Sequence, residues 1–197
     1  AWLQWSEYVS VAANPVANDY ADRVYYTDSY YPKYKHGGGN YRLGIPRAQP
    51  VTATAPAIPS SDDEAAINLE VEDIYYVVTL VNVHGTEGPP SLASTVVRRV
   101  RDAEVTITFG AIPTGNYQIY GPGAKLRIYR SNTGTDTTVY QFVADVALPL
   151  VNPTFVDSVP NSSLQEVLPS ATWTGPPDDD TGVYPDGPLQ GLCTGPN

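Results

Sequence analysis

The run Asp73-Ile74-Tyr75-Tyr76-Val77-Val78-Thr79-Leu80-Val81-Asn82-Val83 is built mostly from β-branched and aromatic residues, and Gly85-Thr86-Glu87-Gly88-Pro89-Pro90-Ser91 follows it closely. Branched Cβ atoms and large rings suit a pleated strand and crowd a helix, so the run predicts a strand closed by a sharp turn. Similar segments recur outward from it. A second strand is predicted over 93–100. In Glu104-Val105-Thr106-Ile107-Thr108-Phe109 the alternation puts Val105, Ile107 and Phe109 on one face, the pattern of a half-buried strand. Residues 125–131 alternate in the same way, with Leu126 and Ile128 on the core face and Tyr129 on the rim. After a turn at 132–136, residues 139–146 are predicted to return as the second strand of a hairpin. A short strand is expected at 154–157, and a single helical turn at 163–166 with Ser162 and Ser163 as caps. Each strand has one apolar face that only a second layer covers, so the fold class is all-β and residues 66–173 form a two-sheet sandwich.

The flanks read differently. Residues 1–46 carry aromatic segments broken by turns. The segments 2–11 and 23–27 read as extended, and Gly37-Gly38-Gly39 reads as a flexible loop, because no strand-to-helix signature surrounds it to make a phosphate cradle. Residues 47–65 are rich in Pro, Ala and Thr, with Pro50, Pro56 and Pro59 spaced as in a semi-extended linker. Residues 174–197 lack apolar periodicity and read as extended coil.

Composition narrows the function classes. The 197 residues include 16 Gly and 19 Pro, together above the roughly 12% of an average chain, so long helices are excluded. Charged residues are only 16%, against about 25% usually, while the 42% hydrophobic content is that of a folding chain. A formal charge of -10 argues against a basic nucleic-acid groove. One cysteine, Cys193, excludes an internal disulfide framework. With Ala1 first and no Met, the chain is expected to be processed, trimmed or a fragment, and no signal peptide or membrane span is read.

Catalysis needs convergent groups, and the sequence singles out none. His36 and His84 sit in predicted loops without Cys or acidic neighbours at metal-ligand spacing, and read as surface or turn residues. No nucleophile elbow or phosphate-binding loop occurs, and Cys193 has no nearby base. Asp62-Asp63-Glu64 and Asp178-Asp179-Asp180 lack calcium-loop spacing and read as solvated loops. A carboxylate pair for glycoside hydrolysis is a spatial feature, and spacing singles out no pair. The reading is therefore not an enzyme, with no catalytic, cofactor-binding or metal residues. Tyrosine is the compositional signal. Tyr25, Tyr26, Tyr30, Tyr31, Tyr34 and Tyr41 crowd the first region, where rings offer amphipathic contact area. Interface or core packing is favoured there over a carbohydrate platform.

Tyr75-Tyr76-Val77-Val78-Thr79-Leu80-Val81-Asn82 with the turn 85–91 resembles the penultimate strand and turn of fibronectin type III-like modules. A longer series of motifs resembles a family of tailed-bacteriophage virion structural proteins. It runs from Trp5 through Pro15-Val16-Ala17-Asn18-Asp19, Arg23-Val24-Tyr25-Tyr26-Thr27, Pro32-Lys33 and Tyr41-Arg42-Leu43-Gly44-Ile45-Pro46. Further on come Arg127-Ile128-Tyr129-Arg130-Ser131, Tyr140-Gln141-Phe142-Val143-Ala144, Phe155-Val156-Asp157 and Leu168-Pro169-Ser170, then Trp173 and Pro176-Pro177. In that family a longer polypeptide is expected than one stopping at Asn197, and Gly in place of Gln165 before Glu166.

The resemblance implies an immunoglobulin/fibronectin type III-like sandwich with extended N- and C-terminal arms. It implies a non-enzymatic structural subunit of the phage virion, in the tail or nozzle, forming a homo-oligomeric ring with other virion proteins around the DNA exit path. An acidic wall would let DNA pass without specific binding. The alternative is a β-sandwich module of an adhesin or secreted enzyme that binds a receptor or host-surface glycan.

Overall fold

The structure is a computed structural model and describes residues 3–6, 8–13, 23–28, 31–60, 69–132, 139–175, 191 and 193. Among these the chain is all-β, with several antiparallel sheets. Strands β1 (Ser10–Ala13), β2 (Val24–Thr27), β3 (Pro32–His36) and β4 (Gly39–Arg42) form a four-stranded meander in chain order. The glycines expected as a flexible loop make its tightest turn. Gly37 and Gly38 have φ of 54° and 86°, the left-handed pair that a two-residue hairpin needs to match strand twist.

The body contains β5 (Thr52–Thr54), β6 (Val71–Ile74), β7 (Tyr76–Val81), β8 (Val97–Val100), β9 (Val105–Thr108), β10 (Lys125–Asn132), β11 (Val139–Ala147) and β12 (Thr154–Asp157). Sheets of order β11-β10-β7 and β12-β9-β5 face each other, and β6 pairs with β8. Tyr76, Val78, Leu80, Leu126 and Ile128 from the first meet Val105 and Ile107 from the second in one apolar cluster, a sandwich-like arrangement. Burying each large aliphatic side chain there contributes about 1.5–3 kcal/mol. The hairpin of β10 and β11 forms as predicted, with a register shift between Ile128 and Tyr129.

Several expectations are corrected. The run 73–83 is not one strand: it divides at Tyr75, β6 joining β8 and β7 joining β10. The Tyr75 N–H is taken at 2.8 Å by the Ser131 hydroxyl, which interrupts the ladder. The stretch read as a linker enters the body. Ala48 and Val51 are buried in the core, and β5 pairs with β9 on a sheet edge, where the flanking Pro50 and Pro56 cost no ladder bond. Tyr129, expected on the rim, is fully buried, because Leu168 packs with it on the outer face of β7 and β10. The helical turn lies earlier, as a 3-10 turn at Asn161–Ser163. Residues 165–168 instead run along the free edge of β11. The Phe142 N–H donates to the Glu166 carbonyl at 2.9 Å, and the Leu168 N–H to the Tyr140 carbonyl at 2.8 Å. Of the segment 2–11 expected to be extended, only Ser10 and Val11 lie in a strand among the described residues, and most of 174–197 lies outside them.

A polar network crosses the apolar core. Arg130 on β10 donates to Asp157 on β12 at 2.5 Å, with both side chains wholly buried. The Tyr76 hydroxyl donates to the same carboxylate at 2.7 Å, and Arg130 also reaches the Val159 carbonyl and the Asn161 side chain. Asn161 links on to Arg99 and Glu72, which pair at 2.7 Å. Removing one buried partner strands the other charge. Asp157→Ala is therefore expected to lower unfolding free energy in urea by about 3–5 kcal/mol, while the apolar double variant Arg130→Met with Asp157→Leu recovers most of it. A loss below about 1 kcal/mol for Asp157→Ala would contradict this account of the network.

Candidate functional site

The meander β1–β4 holds the tyrosines that the sequence singled out, and strand register sorts them. Because side chains alternate and cross-strand partners share a face, Ala12, Tyr25, Tyr34 and Tyr41 form one row across all four strands. The ring centroids of Tyr25 and Tyr34 are 6.1 Å apart, and those of Tyr34 and Tyr41 5.5 Å. Gly39 lets the Tyr41 ring lie over the backbone, since a Cβ there would meet it. This face is turned to the body. The Tyr34 hydroxyl donates to Gln118 Oε1, His84 Nε2 lies 2.6 Å from the same oxygen, and the His36 and His84 rings meet edge to face at 5.5 Å. At the edge strand β4, the Arg42 guanidinium sits 4.3 Å from the Tyr31 ring centroid and 4.5 Å from that of Tyr117, and the Arg42 N–H donates to the Asn116 carbonyl at 2.9 Å.

The opposite face carries Tyr26, Lys33 and Lys35, with Asn40 beside Lys35. Trp5 covers Tyr26, ring centroids 5.3 Å apart, and Lys33 pairs with Asp28 and lies 4.6 Å from the Tyr31 ring centroid. Of the expected interface residues, Tyr26 and Tyr34 are buried packing side chains, Tyr25, Tyr31 and Tyr41 are half-buried, and Tyr30 lies outside the described residues. Sequence reasoning used Trp5 and Lys33 only for the resemblance and gave no site role to them, Lys35 or Gln118. The signal for the lysines was the alternation in Lys33-Tyr34-Lys35, and Gln118 carried none. It also read His36 and His84 as loop residues. His36 ends β3 and is half-buried against exposed His84.

Among the described residues no three His, Cys, Asp or Glu side chains gather as a metal site, and no helix is long and apolar enough to cross a membrane. No protein-family model matches the chain, and no curated protein matches it significantly.

Burial raises the Tyr34 phenol from 10.0 to about 12; Arg23 opposes the shift, while Tyr41 and Tyr25 add to it. Burial also raises Tyr26. A phenol harder to ionise when folded stabilises the fold fully below its unfolded value, and that contribution is lost as pH rises from about 10 through about 12. Ultraviolet titration should therefore show Tyr34 ionising near 12, after the ordinary phenols, and denaturant midpoints should fall across that window. In Tyr34→Phe the late absorbance change should shrink by one phenol, since burial raises Tyr76 and Tyr129 as well, and the alkaline fall should become shallower.

Proposed function

We propose that the chain is a non-enzymatic structural subunit of a tailed-bacteriophage virion, in the tail or nozzle, that assembles with copies of itself and other virion proteins into a ring around the DNA exit path. The observation that carries this reading is the distribution of exposed large apolar side chains. Tyr8 and Val11 lie at edge strand β1, Leu92 and Val96 between β7 and β8, Val151 and Val156 at β12, and Val167 and Trp173 on the C-terminal segment. A head-to-tail ring contact joins two unlike surfaces of one subunit, and apolar side chains exposed on several separate elements supply apolar area to both.

We read the body further as immunoglobulin/fibronectin type III-like, with extended arms. Support comes from residues 88–94, which line the free edge of β7: the Gly88, Ser91 and Ser94 N–H groups donate to the Leu80, Val78 and Tyr76 carbonyls at 2.8–2.9 Å. Charge supports a DNA path without specific binding. Twenty of the 21 acidic residues but only seven of the 11 basic ones lie outside 23–42, so the rest of the chain offers phosphates a repelling surface.

Size-exclusion chromatography with light scattering should find a closed assembly of defined stoichiometry, and Leu92→Asp with Val96→Asp should reduce it to monomer at an unchanged melting temperature. A chain that stays monomeric at every concentration would defeat the proposal.

A further inference from the structure

Two histidines from different parts of the molecule meet where the meander joins the body. His36 ends β3 beside the tight turn at Gly37 and Gly38, and His84 lies in the turn that follows β7. Their ring centroids are 5.5 Å apart and the ring planes cross at 79°. Two imidazoles on one tetrahedral metal ion have ring centres about 5 Å apart, because each metal–nitrogen bond is about 2 Å and the ring centre lies roughly 1 Å beyond the nitrogen. The fold thus already holds the two rings at the separation a shared ion requires. Turning a ring about its own side-chain bonds then directs a nitrogen of each toward that ion.

The surroundings hold His84 in the state a metal needs. Its Nε2 lies 2.6 Å from Gln118 Oε1. An amide oxygen only accepts, so Nε2 carries the hydrogen, and in the neutral ring Nδ1 carries the lone pair that a metal takes. Metal-binding histidines are held in this way, one ring N–H donating to an outer oxygen while the other nitrogen coordinates. Gln118 is braced in turn. Its side-chain oxygen also accepts from the Tyr34 hydroxyl, and its carbonyl accepts from the Val83 N–H at 2.9 Å. The turn itself is pinned by Asn82, whose Oδ1 accepts from the N–H groups of His84 and Thr86 at 3.0 and 2.9 Å. His84 is exposed and His36 half-buried, so an ion with its waters reaches the pair from solvent.

We propose that His36 and His84 form a two-histidine site for a borderline divalent ion such as zinc or nickel, with water completing its shell, and that the ion clips the meander to the body. Imidazole nitrogen favours these ions, whereas magnesium takes oxygen ligands and is refused. Among the described residues no third His, Cys, Asp or Glu joins the pair, and Arg23, whose charge is felt at Tyr34, works against a cation there. The affinity is therefore below that of a closed structural site. The site does not depend on the ring reading, since a single chain carries both histidines.

Calorimetric titration of the full metal-free chain with zinc, nickel and magnesium chlorides tests it. One zinc or nickel ion per chain is expected to bind, with no binding of magnesium, and an excess of about a hundred times Kd should raise the melting temperature by about 5 °C. His84→Gln, at an exposed position, and His36→Gln should each weaken binding at least about tenfold and remove the thermal shift, with unchanged circular dichroism. Cys193→Ser removes an exposed thiol that could compete for the ion, and should leave binding intact. Absence of zinc and nickel binding would overturn the proposal. So would binding that survives either histidine variant unweakened, or that disappears in Cys193→Ser.

Discussion

Between the two facing sheets the Arg130 guanidinium donates to the Asp157 carboxylate, and neither group touches solvent. Several elements of the body contribute partners to that pair, although the buried Arg130 Nε has none. Removing two charges from water costs several kcal/mol each, and Coulomb attraction alone does not return it, so every additional partner matters. Tyr76 from β7, the Val159 carbonyl and the Asn161 side chain provide those partners. Asn161 is held in turn by Asp102 and Glu72, so β6, β7, β8, β10, β12 and the 3-10 turn share one network. Apolar contact between the facing sheets is not directional, whereas bonds to a buried guanidinium are. The network therefore selects the pairing of the two sheets, while the surrounding apolar cluster supplies most of the driving force.

A second constraint acts on the outer side of the same sheet. Glu87 accepts from the Thr79 and Tyr129 hydroxyls at 2.6 and 2.7 Å, and the C-terminal segment brings Leu168 down beside them. Burial and this hydrogen bond raise the Tyr129 phenol well above its ordinary value, as burial and Asp157 do for Tyr76 on the inner side. With both faces covered, β7 is buried along its whole length. The meander is attached differently, through one aromatic row, Gln118 and the stacked Arg42. One side of this small sheet thus packs on the body, while Trp5 and Asp28 meet Tyr26 and Lys33 on the other.

What was legible in the sequence follows from how local each signal is. Val105, Ile107 and Phe109 announced their shared face because alternation is a property of the strand itself. The hairpin of β10 and β11 was equally readable from two alternating runs around a turn. Strand β3 was not, because Pro32-Lys33-Tyr34-Lys35-His36 carries its apolar residues between lysines and resembles a polar loop until Tyr25 and Tyr41 flank it. The prolines around β5 suggested a linker for the same reason: nothing local marks Val51 as a residue that a distant strand will cover.

The sequence by itself determined an all-β chain without long helices, most of the body's strands, and a tyrosine-rich first region, since these depend on side-chain branching, alternation and the conformational limits of Gly and Pro. Only the tertiary structure decided which faces are covered. It divided 73–83 between two sheets, buried Tyr129, Arg130 and Asp157, turned Tyr34 inward and gathered Trp5, Tyr26, Lys33 and Lys35 around an open cleft. Each of these outcomes depends on a partner from a remote part of the chain, and no local pattern encodes which partner arrives.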